Sequence, residues 1–254
     1  LMYEQKANIP KYRDNWGGYK GRYQYDDHDE YYTPFTTVET IFKRIGPHLR
    51  GKKVLFPCDS EQSAFVQYAQ KNAKYWGFEW KNSAKDFRDN KEGLEWCNVV
   101  ITNPPFSLLV DFMEFIEGKD CAFVCVSNNL GRVIRRRLVS SFYISGKFLR
   151  PSGLVKNMGG AICCNSFGEC QGPIPYACDS PAYEYEDNTG IPILNNIRQF
   201  PRYENAPPLL WVPASAYVYD LSGWEHLKIS NRKPNLQANG KTRYLRFLIS
   251  KLGF

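Results

Sequence analysis

An apolar run followed immediately by Asn-Pro-Pro-Phe constrains the fold of this chain more than any other feature of its sequence. Asn98 to Thr102 (NVVIT) is rich in β-branched residues, which favour a strand. Pro104 and Pro105 fix the backbone and carry no N–H, so they indicate a rigid loop. The apolar residues that follow recur at helical spacing as far as Gly118: Leu108, Leu109, Phe112, Phe115 and Ile116. This stretch therefore predicts a strand, a rigid loop and a helix.

Strand and helix patterns also alternate in the neighbouring sequence. Buried strands are predicted at Lys52 to Pro57, Lys74 to Trp80 and Cys121 to Ser127. Asp59 and Ser60 are expected to cap the helix that follows the first of these strands. The alternation predicts an α/β fold, with a mostly parallel sheet and helices on both of its faces.

Two polar loops follow strands of this predicted sheet. Sheets of this kind bind ligands beyond the carboxyl ends of their strands. Because Cys58 to Ser60 and Asn103 to Phe106 each come directly after a strand, both loops are expected at that edge. Beyond Gly168 the sequence is irregular and rich in Pro and Gly until a last apolar stretch from Leu209 to Val218.

Two segments carry basic residues and no acidic ones. Asn128 to Lys156 and His226 to Phe254 each contain seven Lys or Arg, whereas the rest of the 254-residue chain has a net charge of −7. Acid-free basic segments on a net-acidic body are typical of surfaces that meet a polyanion, so the pattern favours a nucleic-acid partner over a merely solvated face.

Membrane, secretory and metal-binding classes are not supported. The sequence has neither an apolar run of the length that a membrane span needs nor a secretory signal. Cys121, Cys125, Cys163 and Cys164 lie in apolar runs, which predicts buried thiols. Adjacent cysteines in a strand face opposite ways, so Cys163 and Cys164 cannot both bind one zinc ion. We expect a soluble, intracellular protein without a metal.

The Asn103 loop suggests a particular chemistry. The exocyclic amine of adenine is a poor nucleophile because its lone pair is delocalised into the ring. Two acceptors, the Asn103 side-chain oxygen and the Pro104 carbonyl, would bind both amine hydrogens and free that lone pair, and Phe106 would stack on the base. Because an amine inside a duplex is out of reach, the adenine must be flipped out. The alternative is that Asn-Pro-Pro is simply a rigid turn.

From about Asp29 to Lys228 the chain resembles the γ-type amino-methyltransferases, specifically the EcoRI-type adenine-specific DNA methyltransferases. The ordered landmarks are Asp29-Glu30-Tyr31-Tyr32-Thr33, Cys58-Asp59, Asp86-Phe87-Arg88, Val99 to Leu108 and Val212-Pro213. The resemblance implies a Rossmann-like S-adenosylmethionine-dependent methyltransferase fold with irregular target-recognition segments. It divides the chain into an N-terminal arm (1–28), a catalytic domain (29–225) and a basic C-terminal segment (226–254).

The resemblance also implies roles for single residues. The catalytic residues are Asn103, Pro104, Pro105 and Phe106. Those that bind S-adenosyl-L-methionine are Tyr32, Thr33, Pro34, Phe56, Pro57, Cys58, Asp59, Ser60, Asp86, Phe87 and Asn103, with Glu79 as the candidate for the ribose. One departure concerns the first cofactor loop, Phe56 to Glu61, which has no glycine to let the backbone approach the cofactor closely.

The expected partner is double-stranded DNA in the cytoplasm of a bacterial or phage-infected cell. The residues expected to contact DNA are Arg132, Arg135, Arg136, Lys147, Arg150, Lys156, Arg232, Lys233, Lys241 and Arg243. Three alternatives stay open: an RNA adenine methyltransferase, a protein glutamine methyltransferase, and a nucleic-acid-binding module that has lost its cofactor.

Overall fold

A computed structural model of the chain describes residues 31–83, 86–126, 133, 140–150, 153–175, 178–230, 236–243 and 246–253. The main helices of this part are α1 (Phe35–Ile45), α2 (Ala64–Trp76), α3 (Lys91–Trp96) and α4 (Leu109–Phe115). Its strands are β1 (Lys53–Phe56), β2 (Glu79–Asn82), β3 (Val99–Thr102), β4 (Asp120–Val126), β5 (Ser140–Ile144), β6 (Lys147–Leu149), β7 (Val155–Asn157), β8 (Ala161–Asn165), β9 (Tyr183–Tyr185), β10 (Pro192–Leu194), β11 (Leu209–Pro213), β12 (Trp224–Ile229), β13 (Leu236–Ala238), β14 (Lys241–Arg243) and β15 (Arg246–Lys251).

A six-stranded sheet forms the centre of the protein, in the order β2-β1-β3-β4-β8-β5. Pairing is parallel from β2 through β1 and β3 to β4. Strand β8 is antiparallel to both of its neighbours, β4 and β5, so β5 runs in the same direction as β4. The predicted α/β class is therefore confirmed, and the sheet is mixed because of β8.

Successive residues of these strands pack against different layers. Val54 and Phe56 of β1 pack in one cluster with α1 and α2, whereas Leu55 packs in a second cluster with α4. Cys163 and Cys164 of β8 divide in the same way, one to each cluster, and both are buried as predicted. The two-residue repeat of a strand explains this division, and it accounts for helices on both faces of the sheet.

A second sheet covers the α4 face, in the order β12-β15-β11-β10-β9. Leu210 and Val212 of β11 and Phe247 and Ile249 of β15 are buried in the same cluster as α4. The described residues between Gly168 and Leu209, predicted to be irregular, contain two strands of three residues each, β9 and β10, and the predicted apolar stretch from Leu209 begins with β11. Strand β12 also spans the predicted boundary at residue 226 and pairs with β15 on both sides of a bulge between His226 and Lys228.

Two local predictions also differ from the structure. Helix α2 begins after Ser63, whose hydroxyl accepts a hydrogen bond from the Val66 N–H at 3.2 Å, so neither Asp59 nor Ser60 is its cap. The helix continues to Trp76 and ends at Gly77, which has a φ of +76°, and the strand predicted from Lys74 therefore starts only at Glu79. In the described part of the chain, none of the helices has the length and apolar character of a membrane span.

Close packing between the end of α1 and α2 gives a stability prediction. Gly46 has helical backbone angles, but a Cβ atom there would lie 2.7 Å from the indole ring of Trp76. Gly46→Ala should therefore lower the free energy of unfolding by about 1–3 kcal/mol, although alanine favours helix. Urea denaturation measures the change. Lys43→Ala, on the exposed side of α1, is the control and should change it by less than about 0.5 kcal/mol. Equal effects in the two variants would contradict the packing.

Candidate functional site

The carboxyl ends of three parallel strands meet at one edge of the central sheet. Strand β1 lies between β2 and β3, so the chain reverses its direction across the sheet at β1. The loop after β1 leads to α2 on one face, and the loop after β3 leads to α4 on the opposite face. Loops that diverge in this way form the usual ligand-binding position of an α/β sheet. The two loops predicted to lie at this edge are the two that diverge here.

Asp59 is the buried acid of this edge. Its side chain is 6% exposed and accepts a hydrogen bond of 2.5 Å from the Thr102 hydroxyl, which joins the loop after β1 to the end of β3. Burial raises the pKa of the Asp59 carboxyl to about 6, and the hydrogen bonds from Thr102 and Ser63 oppose that shift. Within the described residues Asp59 forms no ion pair, so a cationic ligand group would be its natural partner.

The loop after β1 does not need glycine. None of its residues from 57 to 63 has a positive φ, so every backbone conformation in it is accessible to ordinary residues. The Asn82 side-chain amide donates to the Asp59 carbonyl at 3.2 Å and links the loop to the end of β2. Burial, followed by the nearby Asp59 charge, raises the pKa of the Cys58 thiol, so this thiol stays neutral and is a poor nucleophile.

Asn103 presents a buried acceptor without a partner. Its Nδ2 donates to the Tyr31 carbonyl at 2.5 Å, which fixes the orientation of the amide. Its Oδ1 is buried and accepts no hydrogen bond from any described residue. A buried acceptor left unpaired costs about 1–3 kcal/mol, and such atoms are rare in native proteins.

Phe106 belongs to the same loop as this acceptor, and two aromatic side chains pack against its ring. The ring of Tyr31 stacks on it with a centroid separation of 6.0 Å, and Phe148 of β6 meets it edge-on. Lys156 of β7 donates to the Tyr31 hydroxyl at 3.2 Å and lies over the same ring. Phe106 is only 8% exposed as a result. A base can reach its ring only if Tyr31 moves.

The predicted cofactor residues Tyr32, Thr33 and Pro34 also lie at this edge. The backbone of Tyr32 pairs with Leu149 of β6 in both directions, at 2.8 and 2.9 Å. Thr33 is 6% exposed, and its hydroxyl is a second buried atom for which the described residues supply no partner. Pro34 precedes α1 directly. Phe56 and Pro57 are buried at the end of β1, whereas Ser60 is exposed.

Of three further predicted cofactor residues, Asp86, Phe87 and Glu79, only Asp86 lies at the site. Asp86 is close enough to Cys58 to raise the pKa of its thiol, but its own carboxylate already accepts from Arg88 at 2.9 and 2.5 Å. Phe87 is buried against Phe112 and Phe115. Glu79 pairs with Lys53 at the start of β1, so it lies at the opposite end of the strands. The structure brings Asp86 to the site but not Glu79, and it buries Phe87 in the core.

The predicted DNA-contacting residues fall into two groups. Lys147, Arg150 and Lys156 belong to the β6–β7 hairpin and its turn, which contacts the site through Phe148, Leu149 and Lys156. Lys241 and Arg243 belong to the β13–β14 hairpin, which packs on the second sheet, and the Arg243 guanidinium is paired with Glu184. Arg132, Arg135, Arg136, Arg232 and Lys233 lie outside the described residues.

The sequence reasoning missed Tyr31, Asn82 and Thr102. Thr102 was predicted only as a strand residue. Asn82 was missed because the strand was predicted from Lys74 to Trp80, which ends before it. The sequence did contain a signal for Asn82. Glycine often adopts the left-handed conformation that ends a helix, and a helix that ends at Gly77 moves β2 along the chain, so that its carboxyl end falls at Asn82. No local signal connects Tyr31 to Asn103, which is 72 residues away.

Among the residues that the structure describes, no group of three or more His, Cys, Asp or Glu side chains could hold a metal ion.

The raised pKa of Asp59 gives a pH prediction. The folded protein binds this proton more tightly than the unfolded chain, so the stability it contributes at low pH is lost as the pH rises from about 4 to 6. Asp59→Asn should therefore stabilise the fold at pH 7 by about 1–3 kcal/mol and by less at pH 4. Chemical denaturation at several pH values measures this difference.

Asp86→Asn is the matched control, with the opposite sign. The hydrogen bond from Arg88 lowers the pKa of Asp86, so its contribution is present at neutral pH and lost on acidification. This variant should be less stable than the wild type at pH 7. A stability gain for Asp59→Asn that did not grow between pH 4 and 6 would contradict the assignment.

Comparison of the sequence with protein-family models and with curated proteins gives no match.

Proposed function

We propose that the chain is an S-adenosylmethionine-dependent methyltransferase that acts on the exocyclic amine of a flipped adenine in double-stranded DNA. The observation that carries the proposal is the buried Oδ1 of Asn103 at the carboxyl end of β3, to which no described residue donates a hydrogen bond. This atom is held in place because the other half of the amide donates to the Tyr31 carbonyl. An amine hydrogen is the partner that such an acceptor lacks.

The acceptor has a direct catalytic use. Hydrogen bonds accepted from the amine draw its nitrogen out of conjugation with the ring, which makes its lone pair available for attack. Because the acceptor is fixed in advance and buried, it does not reorganise during the reaction, and its effect is not weakened by water. The proton that the amine loses can leave to solvent, so a general base is not required.

The residues at the edge of the sheet fit the cofactor. Asp59 is a buried carboxyl without a cationic partner among the described residues, and S-adenosylmethionine carries a cationic sulfonium and an ammonium group. The Thr33 hydroxyl, which has no hydrogen-bond partner among the described residues, adds a polar contact, and Asn82 holds the loop after β1. When bound, the cofactor supplies a methyl group on a good leaving group. Asp59, Thr33 and the loop from Phe56 to Ser60 would orient it.

The architecture supports the same proposal. The candidate residues lie where the chain reverses direction between β1 and β3, which is the position at which Rossmann-like sheets bind nucleotide cofactors. We therefore propose a Rossmann-like methyltransferase fold for the central sheet. The single antiparallel strand, β8, lies three strands away from β1 and does not alter the edge.

Base binding requires Tyr31 to leave Phe106. The separation of 6.0 Å between their ring centroids is too small for a base to enter between two parallel rings, which would need about 7 Å at van der Waals contact. A flipped adenine would replace Tyr31 on Phe106 and recover part of the cost of flipping through stacking. Lys156, which holds the Tyr31 hydroxyl, would then become available to a phosphate.

Asn103→Ala should lower kcat by about 10²–10³-fold, because it removes an acceptor that acts mainly in the transition state. Its affinity for S-adenosylmethionine should stay within a few fold of the wild type. Asp59→Asn should instead weaken the binding of S-adenosylmethionine more than it lowers kcat. Asn72→Ala, which loses only a hydrogen bond to the Tyr68 carbonyl in α2, controls for loss of an amide. Turnover is measured with labelled cofactor and cofactor affinity by calorimetry.

The same labelled cofactor separates the alternatives. The proposal expects label in DNA, as N6-methyladenine, when DNA, RNA and protein are offered together. Label in RNA or in a protein glutamine would move the activity to another substrate, and the absence of cofactor binding would favour a non-catalytic nucleic-acid-binding module. Near wild-type turnover in Asn103→Ala would contradict the proposed role of Asn103 as the acceptor for the adenine amine.

Lys156→Gln should weaken binding to all DNA sequences alike and lower the slope of log affinity against log salt by about one unit. The reason is that Lys156 lies on the hairpin beside the site, and most protein hydrogen bonds to DNA go to its backbone rather than to base edges. Lys53→Gln, at the amino end of β1, is the control and should leave the slope unchanged. Equal slopes for Lys156→Gln and wild type would place the hairpin away from DNA.

A further inference from the structure

Two adjacent aliphatic side chains are exposed where the turn of the β6–β7 hairpin meets β7. Leu154 is 66% exposed and Val155 is 63% exposed, which are the two highest values for a large aliphatic residue in the described part of the chain. Single exposed hydrophobic residues are ordinary on protein surfaces, but two neighbours form a small apolar surface. Leu149 adds to it, because it pairs with Val155 across the hairpin and the two side chains share a face.

The other face of the hairpin packs on the candidate site. Phe148 and Lys156 form the next pair of the ladder, and they contact Phe106 and Tyr31. Successive residues of a strand point to opposite faces, so Val155 points away from these contacts. Leu154 is two residues from Lys156, a distance of about 7 Å along an extended strand. The apolar surface therefore lies next to the site but outside it.

Hydrogen bonds hold the turn in one conformation. The Arg150 N–H donates to the Leu154 carbonyl at 2.9 Å, and the Gly153 N–H donates to the Arg150 carbonyl at 2.8 Å. Gly153 has a φ of +79°, which favours glycine. The pairing of Tyr32 with Leu149 fixes the base of the hairpin. Because the turn is ordered in advance, it loses little conformational entropy when it binds a partner.

Cationic side chains surround the apolar tip. Lys147, Arg150 and Lys156 belong to the hairpin and its turn, and none of them forms an ion pair within the described residues. The sequence from 128 to 156 contains no acid. An apolar tip among cations fits a partner that is anionic outside and apolar inside, as duplex DNA is with its phosphates and stacked bases. An anionic membrane shares these two properties, but the hairpin is attached to the loop proposed to bind a flipped base, which favours DNA.

We propose that Leu154 and Val155 form an apolar wedge that enters the base stack of duplex DNA at the gap left by the flipped adenine. The inference rests on the proposed function, because that function places the duplex over the Asn103 loop. Apolar side chains that enter between base steps unstack and kink DNA in other classes of protein. Aliphatic side chains that fill the gap bury apolar surface of both partners, which offsets part of the cost of flipping.

The test measures DNA binding by the full chain without cofactor, so it does not depend on methyl transfer. Two duplexes of one sequence are compared, one fully paired and one with a single abasic site, whose stack already has a gap. The wild type should bind the abasic duplex roughly tenfold more tightly, as expected for burial of one aliphatic side chain. Leu154→Ser should remove most of this preference. It should leave the affinity for the paired duplex within about twofold and the salt slope unchanged, because it removes no charge.

Three further variants locate the effect. Val155→Thr keeps the shape of valine but places a hydroxyl in the wedge, so it should reduce the preference about threefold. Leu252→Ser is the matched control, because Leu252 is also exposed, at 55%, but follows β15 in the second sheet. It should leave the binding of both duplexes unchanged. Lys156→Gln should weaken both duplexes alike. All of the substituted aliphatic side chains are exposed, so the melting temperature should stay close to that of the wild type.

The proposal is overturned if the wild type binds the two duplexes equally or if Leu154→Ser keeps the preference of the wild type. Binding to phosphatidylserine vesicles that Leu154→Ser weakens more than it weakens the abasic duplex would assign the tip to a membrane and would also overturn it. Methyl transfer to DNA without a preference that depends on Leu154 would overturn the wedge alone. Such a preference without methyl transfer would support the wedge and contradict the proposed function.

Discussion

The parallel pairing of β1 with both β2 and β3 is the constraint on which the rest of the site depends. It brings three strand ends to one edge and sends the loops that follow β1 and β3 to opposite faces. The hydrogen bond from Thr102 to Asp59 then fixes those two loops against each other at 2.5 Å. Because a buried carboxyl anchors it, the position of these two loops relative to each other is set before any ligand arrives.

The site is maintained at a cost in stability. Asp59 is buried without an ion-pair partner in the described structure, and the Asn103 oxygen and Thr33 hydroxyl are buried without hydrogen bonds from described residues. The core provides the compensation, since both faces of the central sheet are packed by continuous clusters of apolar side chains. This unfavourable polar burial lies at the edge of the sheet where the cofactor and the base are proposed to bind, and these ligands would relieve it.

Local patterns predicted the strand at Val99–Thr102, the loop that follows it and the α/β class, because each depends on neighbouring residues. The second sheet was missed because β9 and β10 have only three residues each, and because β11 pairs with β15 far along the chain, with Trp211 opposite Leu248. Asp59 was interpreted as a helix cap because carboxyls are common caps, whereas Ser63 performs that role. The contact between Asn103 and Tyr31 spans 72 residues and exists only in the folded chain.

The antiparallel direction of β8 has a consequence for how this protein can change. Since β5 and β8 run in opposite directions, the chain between them turns back at the carboxyl edge without crossing the sheet, and the β6–β7 hairpin is the whole connection. A connection of this kind can be lengthened, shortened or recharged while the strand order stays intact. The turn of this hairpin is therefore a place where the sequence can change while the Asn103 loop beside it stays the same.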